Sequence, residues 1–181
     1  MSTIKPITQD QQQQVIERVA DLLQQCAEYF NRPFKPIEIR FDLRGRTSGM
    51  YVVRNTQQYL RFNPFIFSKF FEDSLNNTVP HEVAHYVSHE LFGIKNIRPH
   101  GKQWKAIMNT LGAEPRVTGN YDLAGIAVKK QRRFDYRCGC MNHQLTTVRH
   151  NRVLIGKSQY FCTKCNEELT HQAAINNNLP E

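Results

Sequence analysis

Thr78-Val79-Pro80-His81-Glu82-Val83-Ala84-His85-Tyr86-Val87-Ser88-His89-Glu90-Leu91 is the stretch on which the reading of this 181-residue sequence turns. Asn76-Asn77-Thr78 offers turn and N-cap oxygens, Pro80 suits a first helical turn and Gly93 a stop, so a helix is predicted over 79–91. Residues four apart on a helix share one face, which lets His81 and His85 reach one metal ion with Glu82 at its edge. This is the H-E-x-x-H pattern. Two neutral imidazoles leave a zinc ion Lewis-acidic with room for a water. The carboxylate beside them takes that water's proton and passes it to a leaving amine. Val79, Val83, Ala84 and Val87 make the rest of the helix apolar, and a His/Glu cluster among them is costly to bury without a metal or matched partners.

A third ligand has four candidates. His89 continues the four-residue series, but eight residues of helix place it about 12 Å along the axis from His81. Glu90 lies on the same helix and cannot fold back. The position six after His85, where a longer H-E-x-x-H-x-x-G-x-x-H site carries its histidine, is Leu91, so that geometry is excluded. His100 follows a loop containing Gly93 and Pro99 and opens the next predicted helix, Lys102 to Leu111, so it can return to the metal from a second element. It is the third ligand of choice. Tyr86, Asn96, Arg98 and Lys102 lie near enough in sequence to orient a substrate.

Toward the N-terminus, Val15, Val19, Leu22, Leu23, Cys26, Ala27 and Phe30 recur at helical spacing from about Thr8, and Asn31-Arg32-Pro33 ends the run. Cys26 reads as a small core hydrophobe. Ile37 to Leu43 alternates as a half-buried strand, and Met50–Arg54 and Tyr59–Phe62 read as two further strands, antiparallel neighbours. Phe65, Ile66, Phe67, Phe70 and Phe71 mark a short helix with an aromatic core face.

Past Pro115 the chain becomes basic. Of a net charge of +8, residues 116–181 supply 10 Lys/Arg against 5 Asp/Glu. Four of the five cysteines cluster there as Cys138-Gly139-Cys140 and Cys162-Thr163-Lys164-Cys165, separated by about the length of a β-hairpin, as in a zinc ribbon where two knuckles meet at one tetrahedral ion. The ligand sets Cys138/Cys140/Cys162/Cys165 and Cys140/His143/Cys162/Cys165 both fit, the first slightly preferred. Lys129, Lys130, Arg132, Arg133, Arg149 and Arg152, with His150 and Lys157 beside them and Tyr136, Tyr160 and Phe161 interleaved, compose a surface for phosphates and bases, and single-stranded or junction DNA is the expected partner. No apolar run reaches a membrane span's length and the N-terminus has no apolar export segment, so the expectation is a cytoplasmic protein without a membrane partner. A 40% apolar, 22% charged composition excludes a disordered or low-complexity chain.

The order of H-E-x-x-H, Pro99-His100-Gly-Lys-Gln-Trp104, Tyr136-Arg-Cys-x-Cys-x-x-His143, Arg149-His-Asn-Arg152 and Tyr160-x-Cys-x-x-Cys165 resembles the SprT family over nearly the whole chain. The resemblance implies an α+β zincin-like metallopeptidase domain over 1–128 and a basic segment with a zinc ribbon over 129–181. It implies His81, His85 and His100 as zinc ligands, Glu82 as the catalytic carboxylate, and two zinc ions, one catalytic and one structural. Spartan-type members act on proteins crosslinked to DNA, which would account for the basic half. The alternative is a zinc-containing nucleic-acid-binding or regulatory protein with a vestigial peptidase site.

Overall fold

The computed structural model describes residues 4–117, 119, 121–128 and 132–172. It is a mixed α and β chain whose contacts divide into two compact units, Met1–Val128 and Lys129–Glu181. No helix among the described residues is long and apolar enough to cross a membrane.

The first unit opens with helix α1, Gln9–Phe30, where the Thr8 hydroxyl accepts from the Gln11 N–H and the Gln11 side chain accepts from the Thr8 N–H. That reciprocal box satisfies two of the donors a helix start leaves unpaired. Asn31, left-handed at φ 47°, ends the helix. The buried stripe Val15, Val19, Leu22, Leu23 and Cys26 faces the core, as the spacing predicts. Strands β1 (Glu38–Arg40), β2 (Gly49–Arg54) and β3 (Gln57–Phe62) form one mixed sheet in the order β1-β3-β2. β2 and β3 pair antiparallel as a hairpin, whereas β1 lies parallel to β3 and is only three residues long, shorter than the alternation from Ile37 to Leu43 suggests.

Asn63 caps helix α2, Pro64–Lys69, by accepting from the N–H groups of Phe65 and Ile66. Ile66 and Phe67 are fully buried, while Phe65, Phe70 and Phe71 are half-buried. The single turn α3, Phe71–Asp73, runs through a wide π turn, Ser74–Thr78, into α4, Val79–Phe92. α4 starts at Val79 with Pro80 in its first turn, as the sequence predicts, but the capping before it differs. Thr78 is right-handed helical and caps nothing, and Asn76 and Asn77 lie inside the π turn. The reason lies in Pro80, which has no N–H to give and crowds the carbonyl four residues back. A continuous helical segment absorbs such a residue by locally widening its turn. After a short 3-10 turn, Ile94–Asn96, helix α5 spans Lys102–Thr110. One core of Val19, Leu22, Leu60, Phe62, Val83, Val87, Trp104 and Ile107, with their neighbours, joins α1, the sheet, α4 and α5.

In the second unit, β4 (Arg133–Arg137) is central, paired antiparallel with β5 (Asn142–Thr146) and with the two-residue β6 (Thr170–His171). The cysteine pairs are not separated by a hairpin. Between Cys140 and Cys162 lie β5 and helix α6, Thr147–Leu154. Inward-facing His150 and half-buried Val153, three apart, hold that helix to the sheet despite its β-branched residues.

Candidate active site

Helix α4 presents His81 and His85 from successive turns, and the connection after the 3-10 turn brings His100 back to them with its backbone left-handed at φ 56°. The three Nε2 atoms lie 3.2 Å (His81 to His85), 3.1 Å (His85 to His100) and 3.0 Å (His81 to His100) apart. Four-coordinate zinc with its nitrogens at 2.0–2.1 Å would separate them by about 3.3 Å, so the set fits a single ion. Burial lowers His81 to about 4 and His85 to about 3, each ring further disfavouring charge on its neighbour, and it lowers His100 as well. All three rings are thus neutral at pH 7, with lone pairs on one point, which is the state a metal binds.

Trp104 holds this cluster in place. Its ring packs at 4.7 Å from His81, 4.8 Å from His100 and 5.7 Å from His85, and its indole N–H donates to the His81 carbonyl at 3.2 Å. The Trp lies four residues after His100 on α5, a spacing that sequence inspection alone does not connect to the metal.

Glu82 is 6% exposed, and one of its oxygens, Oε2, accepts from the Tyr51 N–H at 2.8 Å. Burial pushes its carboxyl up to about 8, with the Tyr51 hydrogen bond pulling the other way. A cation on the adjacent histidines would draw it down again. Gly49 makes the approach of β2 to α4 feasible: a Cβ there would stand 2.8 Å from Glu82 Oε1 and Cγ and 2.7 Å from Thr78 Cγ2. Neither Gly49 nor the Tyr51 N–H is visible as a site feature in the sequence.

His89 does not join the cluster of His81, His85 and His100. Its Nδ1 shares a hydrogen bond with the Tyr51 hydroxyl, which also donates to Gln58, and Gln58 donates to Glu90 at 3.0 Å. Tyr86 is buried with its hydroxyl on the Lys35 carbonyl, Asn96 donates to the Phe92 carbonyl, and Arg98 alone of the four orienting candidates lines a cavity at the site. Beyond Glu82, the Tyr121 hydroxyl bridges Asp73 (2.7 Å) and Thr78 (3.0 Å). The Lys69 ammonium donates to the Asp122 carboxylate and to the Asp122 and Ala124 carbonyls, fixing the segment that walls the cleft.

A SprT-like family model matches residues 19–119, which contain every one of these histidines and Glu82. The chain belongs to the SprT-like family. That family is metallopeptidase-like. The chain is 38% identical over 160 residues to Protein SprT of Shewanella oneidensis, covering 88% of this chain and 98% of the relative. It is 35% identical over 159 residues to Protein SprT of Escherichia coli, covering 87% and 92%. No solved structure matches it.

The second unit of this SprT-like chain gathers Cys138, Cys140, Cys162 and Cys165, their sulfurs within 4.8 Å of one another. The Cys138–Cys140 and Cys140–Cys162 separations are 3.5 and 3.6 Å, against about 3.8 Å for thiolates 2.3 Å from a tetrahedral zinc. His143 stands beside the four, with Nε2 3.2 Å from Cys138 Sγ. Burial raises the Cys138 thiol, but hydrogen bonds with His143 and Cys140 outweigh it and bring it down, favouring the thiolate that binds metal. The Lys164 N–H reaches Cys162 Sγ at 3.4 Å.

The expected nucleic-acid surface is only partly as read. Arg132, Arg133, Arg149, Arg152 and Lys157 are exposed, with Arg132 over the Phe134 ring and Arg149 over the Tyr160 ring. Phe161 is 51% exposed. Tyr136, however, is fully buried and cannot stack on a base. His150 is buried too, stacked on Phe134 with Nδ1 3.0 Å from the Tyr136 hydroxyl. Burial lowers its pKa, which disfavours the charged form. Lys129 and Lys130 lie outside the described residues.

Proposed function

We propose that this protein is a zinc-dependent, zincin-like metallopeptidase whose C-terminal zinc ribbon brings it to DNA, and that polypeptides held on DNA are its substrates. The observation that carries the reading is a buried carboxylate, pinned by one oxygen, beside three neutral imidazoles converging on one point. A site that only held a structural ion would have no use for that carboxylate. His81, His85 and His100 would hold the catalytic zinc, which supplies Lewis acidity to a water and to the scissile carbonyl. The Tyr51 N–H fixes one oxygen of Glu82, so that a single orientation serves the whole reaction. As the water oxygen bonds to the carbonyl carbon, Glu82 accepts its proton. As the C–N bond breaks, Glu82 returns that proton to the leaving nitrogen. Trp104 keeps the imidazoles in register throughout. The four cysteines of the second unit would fill the coordination of one zinc ion and leave no position for water, which suits a structural role.

Elemental analysis tests the metal assignment. The wild type is expected to carry about two zinc ions per chain and His100→Ala about one, since a site reduced to two ligands binds weakly. One zinc in both proteins would remove His100 from the site.

For DNA, the support is the set of exposed cations on the second unit, Arg132 and Arg149 lying over aromatic rings, together with the exposed ring of Phe161. Each phosphate neutralised adds about 0.7 to the salt slope of single-strand binding. Fluorescence anisotropy of a single-stranded oligonucleotide is expected to show affinity falling steeply with salt, and Arg149→Ala/Arg152→Ala is expected to flatten the slope by about 1.4. Salt-insensitive or absent binding would leave the peptidase without this tether.

Gly49→Ala provides a steric test of the carboxylate's placement. The added methyl displaces the Glu82 side chain while leaving the histidines alone. Hydrolysis of an unfolded protein is expected to drop about 10²-fold at unchanged zinc content. Unaltered turnover would mean that the position of Glu82 is immaterial.

A further inference from the structure

Two cavities meet at His81, Glu82 and Gly49, and their walls differ in chemistry. One, of about 650 Å³, is lined by charged groups including Arg46, Asp73, Glu114 and Arg116. The other, of about 400 Å³, lies between β2 and the 94–99 connection and is walled by Met50, Ile94, Ile97 and Pro99, with Trp104 and the three histidines along it. Ile94 is 51% and Met50 38% exposed, so large apolar groups stand open to water beside the metal cluster. Tyr51 and His89 also line this recess, with the Tyr51 hydroxyl bonded to His89 Nδ1 and Gln58, and Ser88 adds a buried hydroxyl.

We propose that the recess formed by Met50, Ile94 and Ile97 is a specificity subsite that takes one large apolar side chain of the polypeptide next to the bond being cut. This rests on the hydrolase reading above and adds a sequence preference to it. An extended chain crossing from one cavity to the other must pass Gly49, His81 and Glu82, the residues both cavities share. The side chain directed into the 400 Å³ recess meets mainly methyl groups and ring faces, which reward apolar burial; the charged groups of the lining are Glu82, held by the Tyr51 N–H, and Arg98, an exposed side chain that can keep its head in water. The charged cleft on the far side of Glu82 makes no such demand, since Arg46 and Arg116 can meet acids and Asp73 and Glu114 can meet bases. The space suits a side chain with its flanking backbone, at the low end of the roughly 300–1,000 Å³ typical of ligand pockets.

Two readouts test this. In the first, a reduced, unfolded protein is digested and the cleavage sites are mapped by mass spectrometry. Leu, Ile, Met and Phe are expected at one of the two positions bordering the cut, enriched roughly threefold or more. Ile94→Ser/Ile97→Ser is expected to bring that enrichment close to background while cleavage continues, and Arg116→Ala to leave it unchanged. In the second, isoleucine methyl signals of the Glu82→Gln protein are followed by NMR during titration with acetyl-Leu-Leu-amide and acetyl-Asp-Asp-amide. Ile94 and Ile97 are expected to shift with the first peptide and not with the second. Cleavage without apolar preference, an unchanged preference in the double variant, or methyl signals indifferent to the leucyl peptide would each overturn the subsite. No cleavage by the wild type, with the methyl signals still responding, would instead overturn the hydrolase reading and keep the recess as an apolar peptide site.

Discussion

Glu82→Gln is expected to leave the protein folded and loaded with zinc while its turnover of an unfolded protein falls by about 10²–10⁴-fold, the usual worth of a general acid–base group. The argument runs through the surroundings of the side chain. Glutamine has the same shape, and its carbonyl oxygen can accept the Tyr51 N–H as Glu82 Oε2 does. What it lacks is an oxygen basic enough to take a proton from water and return it to the departing nitrogen. Stability should not suffer, because the carboxyl stands in surroundings that resist its charge and push it up to about 8, and a neutral amide incurs no such penalty. Thermal unfolding, zinc content and kcat measured on the same preparation separate the effects. If the variant unfolds or loses its metal, Glu82 is a structural residue and the rival reading of a nucleic-acid-binding protein with a vestigial site gains. If it folds, binds zinc and still cleaves, the proton path lies elsewhere.

How far the sequence could be read depends on how far apart the cooperating residues lie. His81 and His85 are four apart on one helix, so their convergence is a matter of helical period. His100 is legible because a turn and a helix start bring it back within a few residues. The Tyr51 N–H and Glu82 are 31 positions apart, and a backbone donor carries no signature in its residue type. Gly49 looks like any strand-edge glycine until α4 is laid against it. The π turn before α4 was hidden for a different reason. Asn76-Asn77-Thr78-Val79-Pro80 is chemically a good helix start, but Ser74 and Thr78 are packed into the interior, so the chain keeps its helical sense and takes up Pro80 by widening the turn. In the second unit, residues 147–154 are rich in β-branched side chains, and their propensity gave way to the packing of His150 and Val153. That same packing removed His150 and Tyr136 from the surface on which charge and aromatic counting had placed them.

Stripping metal from the intact protein is expected to unfold the second unit and spare the first. Among the described residues of the second unit, the buried ones are Tyr136, Cys138, Leu145, Cys162, Leu169 and His150, and two of these are thiols of the cysteine cluster. Strand β6 is two residues long, so the sheet gives the second knuckle little purchase. A core this small does not offset the entropy of ordering its chain, and a structural zinc site typically supplies about 10–16 kcal/mol of apparent binding free energy that becomes folding free energy. The first unit has no such dependence. Its core runs from Ile7 to Ala113 through α1, the sheet, α4 and α5, and the histidine site lies at the edge of that core. With a strong chelator, amide signals from residues 133–171 are therefore expected to collapse to the narrow dispersion of an unfolded chain, while those of α1 and β3 keep their positions. Cys162→Ser should do the same without a chelator. Since the exposed arginines sit on the second unit, oligonucleotide binding should disappear with its fold. A second unit that keeps its native spectrum without metal would mean that the four cysteines are not a structural site and that the aromatic cluster of Phe134, Tyr136, His150 and His171 holds the unit together by itself.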